Sequence, residues 1–255
     1  MNSFMSWVGG KKALRDEIVL RFPPTYSRYI EVFGGGGWVL FHKSPGKEME
    51  VYNDFNPNLA NLFRCVRDHP NELCDELRYT LNSRLDFDYV REMLHTKTEL
   101  PDIRRAAYFY QIIRESYASG LDSFGAQPHS MWNNFPLIHD ACGRLQKVVI
   151  ENKDFEKLIK QYDRPEAFFY FRSLFLNYYC FALSRRRLVS GSIHKNQSQT
   201  DISGENQNDQ RQQYETNDAQ FRFFSQIPIN QHNTCHCHHK QQYSHFQRHS
   251  FASFL

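Results

Sequence analysis

The chain has 255 residues and a mass of 30.4 kDa, which suits one large domain or a domain with an insertion. Its 31 lysines and arginines nearly balance 28 aspartates and glutamates, and the net charge of +3 excludes both a polybasic tail protein and an acidic solvating one. No apolar run reaches the roughly 18 residues of a membrane span, and residues 1–12 lack a signal-peptide pattern. The six cysteines show no disulfide framework. We therefore expect a cytoplasmic protein without membrane association.

Short strands and helices alternate along the first two thirds of the chain. Apolar spacing predicts helices over residues 12–22, 38–42, 58–67 and 155–162, and a mostly helical middle over 72–110 with breaks near 85–86 and at Pro101. Short apolar runs predict strands over residues 28–32, 50–52, 148–151 and 168–171. This alternation favours an α/β sheet that carries the helical middle as an insertion.

The composition changes after residue 171. Residues 172–255 hold 12 of the 16 glutamines and carry nine basic against five acidic residues. They contain five leucines and no lasting apolar period, so this pattern does not predict a packed core. We predict that the tail is largely disordered.

The tail also crowds metal-capable side chains into one patch. Structural zinc sites usually combine two separated pairs of ligands, and no second pair accompanies this patch. We predict adventitious metal affinity here and no specific metal site. The side chains are His232, Cys235, His236, Cys237, His238 and His239.

Four consecutive glycines, residues 34–37, stand between a predicted strand and a predicted helix. Glycines at such a turn let a ligand approach the backbone closely, because no side chains intervene. Asp54 follows about twenty residues later, where a carboxylate can accept hydrogen bonds from the ribose hydroxyls of an adenosine cofactor. The spacing is not the G-x-G-x-x-G fingerprint, so the loop alone leaves a flexible glycine turn as the alternative.

Three motifs occur in order near the start of the chain: Ser6-Trp-Val-Gly-Gly-Lys11, Glu31-Val-Phe-Gly-Gly-Gly-Gly and Tyr52-Asn-Asp-Phe-Asn56. Together they resemble the signature of the DNA adenine methylase family, which is adenine-specific and S-adenosylmethionine-dependent. The resemblance covers about residues 3–171. It implies a Rossmann-like S-adenosylmethionine-dependent methyltransferase sheet with a helical insertion, truncated after residue 171.

The resemblance also implies a division of the chain. Residues 1–60 and 137–171 form the cofactor-binding core, residues 61–136 form the helical insertion with the target-recognition segment, and residues 172–255 form the tail. The resemblance further implies a monomeric, bacterial or phage-encoded protein that belongs to a restriction-modification system.

The family motifs imply which residues hold S-adenosylmethionine. In the family, the first motif packs beside the cofactor, the glycine loop lies at its methionine side, and the aspartate of the third motif holds the ribose. The implied residues are Trp7, Lys11, Glu31, Phe33, Gly35, Asp54 and Asp154. The residue types alone leave structural alternatives open: a core aromatic for Trp7, a solvated charge for Lys11, and helix caps for Asp54 and Asp154.

The segment 114–135 is the candidate for target recognition. It mixes aromatic, amide and basic side chains in a glycine-containing loop, and such groups read base edges and phosphates in a DNA groove. An ordinary aromatic-rich surface loop is the alternative. The resemblance implies contacts from Arg114, Tyr117 and Asn133 to double-stranded DNA with a flipped adenine.

The catalytic motif of the family is missing. Family members hold the adenine amine with Asp-Pro-Pro-Tyr, in which oxygen atoms accept the amine protons and the tyrosine stacks on the base. At that place the chain reads Arg172-Ser-Leu-Phe175. A guanidinium only donates hydrogen bonds, and its charge repels a sulfonium. We therefore expect no methyl transfer by the chain as written.

Three further possibilities follow from the same place in the sequence. The resemblance ends where the composition changes, so we hypothesise that the reading frame shifts near Phe171. A catalytically silent protein that binds the cofactor or DNA is the alternative function. A third possibility is a chain that does not fold, because a sheet that stops at residue 171 leaves an edge unpaired.

Overall fold

The structure is a computed structural model that describes residues 1–96, 99–127, 130–172, 178–183 and 187–192. Three sequence predictions concern residues outside these ranges. They are adventitious metal affinity at 232–239, the absence of the catalytic motif at 173–175, and disorder over 193–255.

Six strands form one sheet in the described part of the chain. The strands are β1 (Arg28–Glu31), β2 (Met49–Asn53), β3 (Val148–Glu151), β4 (Ala167–Arg172), β5 (Tyr178–Leu183) and β6 (Arg187–Ser192). Their order is β3-β2-β1-β4-β5-β6, with β1 to β4 parallel and β5 and β6 antiparallel to their neighbours. This confirms the expected Rossmann-like sheet.

Eight α-helices accompany the sheet within the ranges given above. They are α1 (Arg15–Val19), α2 (Trp38–His42), α3 (Pro57–Asp68), α4 (Pro70–Leu77), α5 (Arg84–His95), α6 (Asp102–Glu115), α7 (Phe135–Leu145) and α8 (Phe155–Tyr162). In the insertion, α6 packs against α3, α4 and α5. No helix among the described residues is both long and apolar enough to cross a bilayer.

The parallel strands β1, β2 and β4 are buried on both faces, as expected for strands at the centre of such a sheet. Successive residues of a strand point to opposite faces. Tyr29 of β1 therefore joins Phe168 in the main core on the side of the insertion, whereas Ile30 joins Phe169 and Leu158 of α8 on the other side. The two cores give a three-layer arrangement with the sheet in the middle.

Two boundaries in the helical part differ from the sequence prediction. The first predicted helix, 12–22, is the shorter α1. The break expected near 85–86 lies before α5 instead, because Ser83 caps this helix by accepting the Asp86 N–H at 3.4 Å. An N-cap serine followed by Arg84 and Leu85, both good helix formers, starts a helix where the prediction ended one.

Two strands lie in the predicted tail. β5 pairs with β4, for example Phe169 with Ala182, and β6 pairs with β5. The prediction of disorder from residue 172 is therefore wrong for 178–183 and 187–192, and the sheet edge beyond β4 is paired. The sequence YYCFAL of β5 is rich in aromatic residues that suit a strand, which outweighs the polar average of the tail.

Candidate functional site

The candidate site lies where the sheet changes direction. The chain moves outward from β1 to β2 and β3, and then returns to the other side of β1 to form β4. Ligands of open α/β sheets bind at such a switch point, beside the carboxyl ends of the strands. The loops after β1, β2 and β3 therefore meet at the edge that favours binding.

The glycine turn after β1 depends on the absence of side chains. Gly35 and Gly37 have φ values of 52° and 64°, in the left-handed region that favours glycine. A Cβ at Gly34 would lie 2.1 Å from Cε2 of Tyr52. The Gly34 N–H also donates to the Asn53 carbonyl at 2.7 Å, so the turn is bound to the end of β2.

Asp54 joins the glycine turn to the third motif. Its carboxylate accepts hydrogen bonds from the Gly35 N–H at 2.9 Å and the Asn56 N–H at 3.0 Å, and the residue is 7% exposed. The cap of α3 is Asn56, which accepts from the N–H groups of Asn58 and Leu59. The helix-cap alternative for Asp54 is therefore wrong, and its contact with Gly35 unites two motifs that lie 19 residues apart.

No sequence pattern predicted a role for Asn53, yet its side chain connects loops at the same edge of the sheet. Its Nδ2 donates to the carbonyls of Val32 at 2.9 Å and Lys153 at 3.1 Å, and its Oδ1 accepts from the Lys153 N–H. The side chain thus ties together the ends of β1, β2 and β3. The motif contained this asparagine, but periodicity and charge carry no signal for such a bridge.

Glu31 lies inside the protein at the end of β1, 1% exposed. One carboxylate oxygen accepts hydrogen bonds from the Tyr29 hydroxyl at 3.0 Å and the Leu40 N–H at 3.1 Å. Burial and the neighbouring Glu31 carboxylate raise the pKa of Tyr29 well above its usual value, so the tyrosine remains a donor. These contacts fix α2 relative to β1.

Phe33 and Asp154 lie on the opposite side of the glycine turn from α2. Phe33 is half-buried, and its ring lies 6.1 Å from Phe155 and 6.4 Å from Phe171 between centroids. Asp154 is half-buried and caps α8 by accepting the Glu156 N–H at 2.9 Å. The structural alternative for Asp154 is confirmed, and its role toward a cofactor stays a prediction.

The first motif packs against both the glycine turn and the insertion. Trp7 is half-buried, with its ring 6.0 Å from Phe109 of α6, and its Cβ lies 3.2 Å from the position a Cβ would take at Gly36. Lys11 is 5% exposed, so the reading as a solvated surface charge is wrong. The structure therefore brings the first motif, the glycine turn and Asp54 into one neighbourhood.

The chain matches one family, described as D12 class N6 adenine-specific DNA methyltransferase, over residues 7–250. The chain belongs to this family. The match continues well past residue 171, where the resemblance ended in the sequence, so that earlier limit is wrong.

Individual relatives match shorter stretches. A type II methyltransferase of Methanocaldococcus jannaschii, M.MjaIII, is 26% identical over 66% of this chain and 67% of its own length. The type II methyltransferase M1.LlaDCHI of Lactococcus lactis is 38% identical over 30% of this chain and 26% of its own length. A DNA adenine methylase of Haemophilus influenzae is 41% identical over 25% of this chain and 22% of its own length.

In this family member the candidate target-recognition segment begins in the last turn of α6. Arg114 lies there and is half-buried. Tyr117 lies in a short 3-10 turn, Tyr117–Ser119, with 70% of its surface exposed, and Asn133 is exposed in a second one, Met131–Asn134. All three predicted DNA-contact residues therefore lie on one segment, and two of them are accessible.

Arginines of α5 and of the end of α4 contact this segment, and no sequence pattern predicted these contacts. The Arg84 guanidinium lies 5.2 Å from the centre of the Phe124 ring, and that of Arg78 lies 5.1 Å from the Trp132 ring. Arg91 donates to the Asp122 carbonyl. Cation–π contacts of this kind require two chain segments to meet, which no local pattern reveals.

Arg172 ends β4, one strand away from the glycine turn. Tyr170, two residues earlier, pairs with Glu31 in the parallel register. The backbone at residue 172 therefore leaves the sheet at the same edge as the loops after β1 and β2.

Proposed function

We propose that this chain has the architecture of an adenine-specific DNA methyltransferase whose methyl donor is S-adenosylmethionine. The observation that carries the proposal is the hydrogen bond between Asp54 and the Gly35 N–H at the switch point of the sheet. It unites two family motifs at the edge where such sheets bind nucleotides. Family membership supports the same conclusion.

The residues at this edge fit an adenosine cofactor with a cationic centre. A carboxylate can accept about four hydrogen bonds, so Asp54 can hold the glycine turn and also accept from ribose hydroxyls. Phe33 offers a half-buried aromatic face beside the loop that contains Asp154. Asp54 and Asp154 would hold the nucleoside, Phe33 and Gly35 would border it, and Trp7, Lys11 and Glu31 would position the turn. When bound, S-adenosylmethionine supplies an electrophilic methyl group.

Methylation of the target adenine amine has a chemical requirement that is separate from cofactor binding. The lone pair of this amine is delocalised into the ring, so the site must accept hydrogen bonds from its protons to make the nitrogen nucleophilic. The base must also leave the duplex, and Tyr117 and Asn133, with Arg114 at the phosphates, are our candidates for the DNA contacts. These assignments rest on family order and on the exposure of the segment.

Arg172 favours a second candidate function, binding without transfer. A guanidinium donates hydrogen bonds and accepts none, so it cannot draw protons from the amine. Its positive charge also disfavours a sulfonium nearby. We therefore propose that the chain as written binds S-adenosylmethionine and DNA without transferring the methyl group.

Equilibrium dialysis against labelled S-adenosylmethionine tests the binding proposal. We expect the wild type to bind, and Asp54→Asn to bind about 10- to 100-fold more weakly, because a hydrogen bond to a charged group contributes about 1.5–3 kcal/mol. Asp140→Asn, which changes an exposed carboxylate on α7, is the matched control and should bind like the wild type. A folded wild type that takes up no cofactor would refute the proposal.

Methyl transfer to unmethylated DNA is measured on the same samples. We expect none above background for the wild type, and measurable transfer by this chain would show that the argument from Arg172 is wrong. The reading-frame hypothesis has its own test in the nucleotide sequence around codon 172. If no frame there encodes Asp-Pro-Pro-Tyr or a close variant, that hypothesis fails.

A further inference from the structure

One hydrogen bond links the first motif to the DNA-facing segment. The hydroxyl oxygens of Ser6 and Ser119 lie 2.6 Å apart, although the residues are 113 positions apart in sequence. Ser6 directly precedes Trp7, and Ser119 follows Tyr117 by two residues in the same 3-10 turn. Ser119 is buried, so the contact is shielded from competing water.

The turn that contains Ser119 is strained. Ala118, Ser119 and Leu121 have φ values of 50°, 57° and 70°, which side-chain-bearing residues rarely adopt. Such conformations persist only where surrounding contacts hold them. Backbone hydrogen bonds from the Tyr117 N–H to Ser123 and from the Gly125 N–H to Glu115 close the loop on itself. The Ser6 contact holds it from outside.

Residues on either side of Ser6 contact α6. The Tyr110 hydroxyl donates to the Phe4 carbonyl at 2.9 Å, and Trp7 packs against Phe109. These contacts fix the motif to a rigid helix. The Ser6–Ser119 bond reaches past the end of α6, so it transmits a shift of the first motif to the strained turn itself.

We propose that Ser119 is a positioning residue whose hydrogen bond to Ser6 couples cofactor binding to DNA binding. The proposal rests on the function proposed above. A ligand that orders the segment around Trp7 also fixes Ser6, and through it the conformation in which Tyr117 is presented to DNA. Coupling of this kind is reciprocal, so DNA strengthens cofactor binding by the same factor. One neutral hydrogen bond limits that factor to about two- to ten-fold.

The experiment measures the dissociation constant of S-adenosylhomocysteine for the full chain with and without sheared unmethylated genomic DNA. For the wild type we expect DNA to lower this constant about two- to ten-fold. In Ser6→Ala and Ser119→Ala the ratio should fall to about one, and in Ser119→Ala the constant measured without DNA should stay nearly unchanged. The double variant should lose no more than either single variant, since all three remove the same contact.

Two controls separate coupling from damage to the fold. Ser123→Ala changes an exposed serine of the same loop and should keep the wild-type ratio. Ser6→Thr retains the hydroxyl and should restore the ratio, which a merely structural defect would not allow. A wild-type ratio of one, or an unchanged ratio in both alanine variants, overturns the inference while leaving the proposed function intact. A wild type that binds no S-adenosylhomocysteine overturns both.

Discussion

Replacing Gly34 by alanine tests how tightly the glycine turn is built. The added Cβ would lie 2.1, 2.6 and 2.8 Å from Cε2, Cδ2 and Cζ of Tyr52, far inside van der Waals contact. The ring cannot move away easily, because it is fully buried and stacks on Phe63 with centroids 3.9 Å apart. Its hydroxyl also donates to the Gly35 carbonyl at 2.7 Å. The substitution must therefore displace the turn, the ring or both.

The cost follows from these contacts. Overpacking a well-packed site costs about 1–3 kcal/mol. Loss of the Tyr52 hydroxyl bond adds about 1 kcal/mol, and disturbance of the stack on Phe63 adds about 0.5–1.5 kcal/mol. We expect a total near 4 kcal/mol, which for a protein of this size lowers the Tm by about 8–16 °C. Cofactor affinity should fall as well, because the turn itself moves.

Thermal unfolding with matched variants isolates the clash. Gly143→Ala in α7 has no heavy atom within 4 Å of the new Cβ and should raise stability by up to about 1 kcal/mol. The double variant Gly34→Ala/Tyr52→Ala should be no less stable than Tyr52→Ala alone, since the ring that clashes is gone. A Gly34→Ala protein with wild-type Tm and wild-type S-adenosylhomocysteine affinity would refute this account of the turn.

Two other predictions concern buried polar groups. Burial raises the pKa of Glu115 to about 7. The native state therefore holds the carboxyl proton more tightly than the unfolded chain does. The free energy of unfolding should fall by up to about 3 kcal/mol as the pH rises from 4.5 to 7. Urea unfolding across this pH range should show that Glu115→Gln removes the decline in the free energy of unfolding. Glu92→Gln, which changes an exposed carboxylate, is the control and should keep it. Equal pH profiles for the wild type and both variants would contradict the reasoning. Asn53→Asp sets a carboxylate against the carbonyls of Val32 and Lys153 and should cost about 3 kcal/mol, whereas Asn58→Asp at the start of α3 should be neutral or stabilising. A Tm of Asn53→Asp equal to that of the wild type would show that the bridge is dispensable.

The sequence predicted those elements whose structure follows from their own residues. The short apolar runs gave β1 to β4 nearly at their true bounds, and α2 and β3 match residues 38–42 and 148–151 in full. These segments are buried on the faces that their apolar residues indicate, so local pattern and tertiary structure agree. The α7 helix was not predicted, because Pro136 and Gly143 interrupt its pattern, although proline is well tolerated in the first helical turn.

The contacts that assemble the candidate site were harder to infer. Family motifs identified Trp7, Gly35 and Asp54, and the structure brings them together. Asn53, Ser6 and Ser119 act through hydrogen bonds across roughly 20 to 110 positions, and their residue types are common on any surface. Such hydrogen bonds can be identified only from the folded structure, in which the strands and α6 have been brought together. The tail was misjudged for a related reason, since averaging over 84 residues hid the apolar segment that forms β5.

In the function proposed for this chain, cofactor binding and methyl transfer depend on different parts of the sequence. The contacts around the glycine turn involve residues 3–155 and Phe171 of β4, and they include those of Asp54, Asn53 and Trp7. We propose that the demand for a hydrogen-bond acceptor at the adenine amine falls on residue 172 and those that follow. Because β4 pairs with both β1 and β5, changes at the end of β4 alter what the site presents without removing a strand from beside the glycine turn. Replacing residues 172–175 by Asp-Pro-Pro-Tyr should therefore raise methyl transfer above the wild-type background while leaving cofactor affinity nearly unchanged, and a variant there that loses cofactor binding would show that the two parts are not separable.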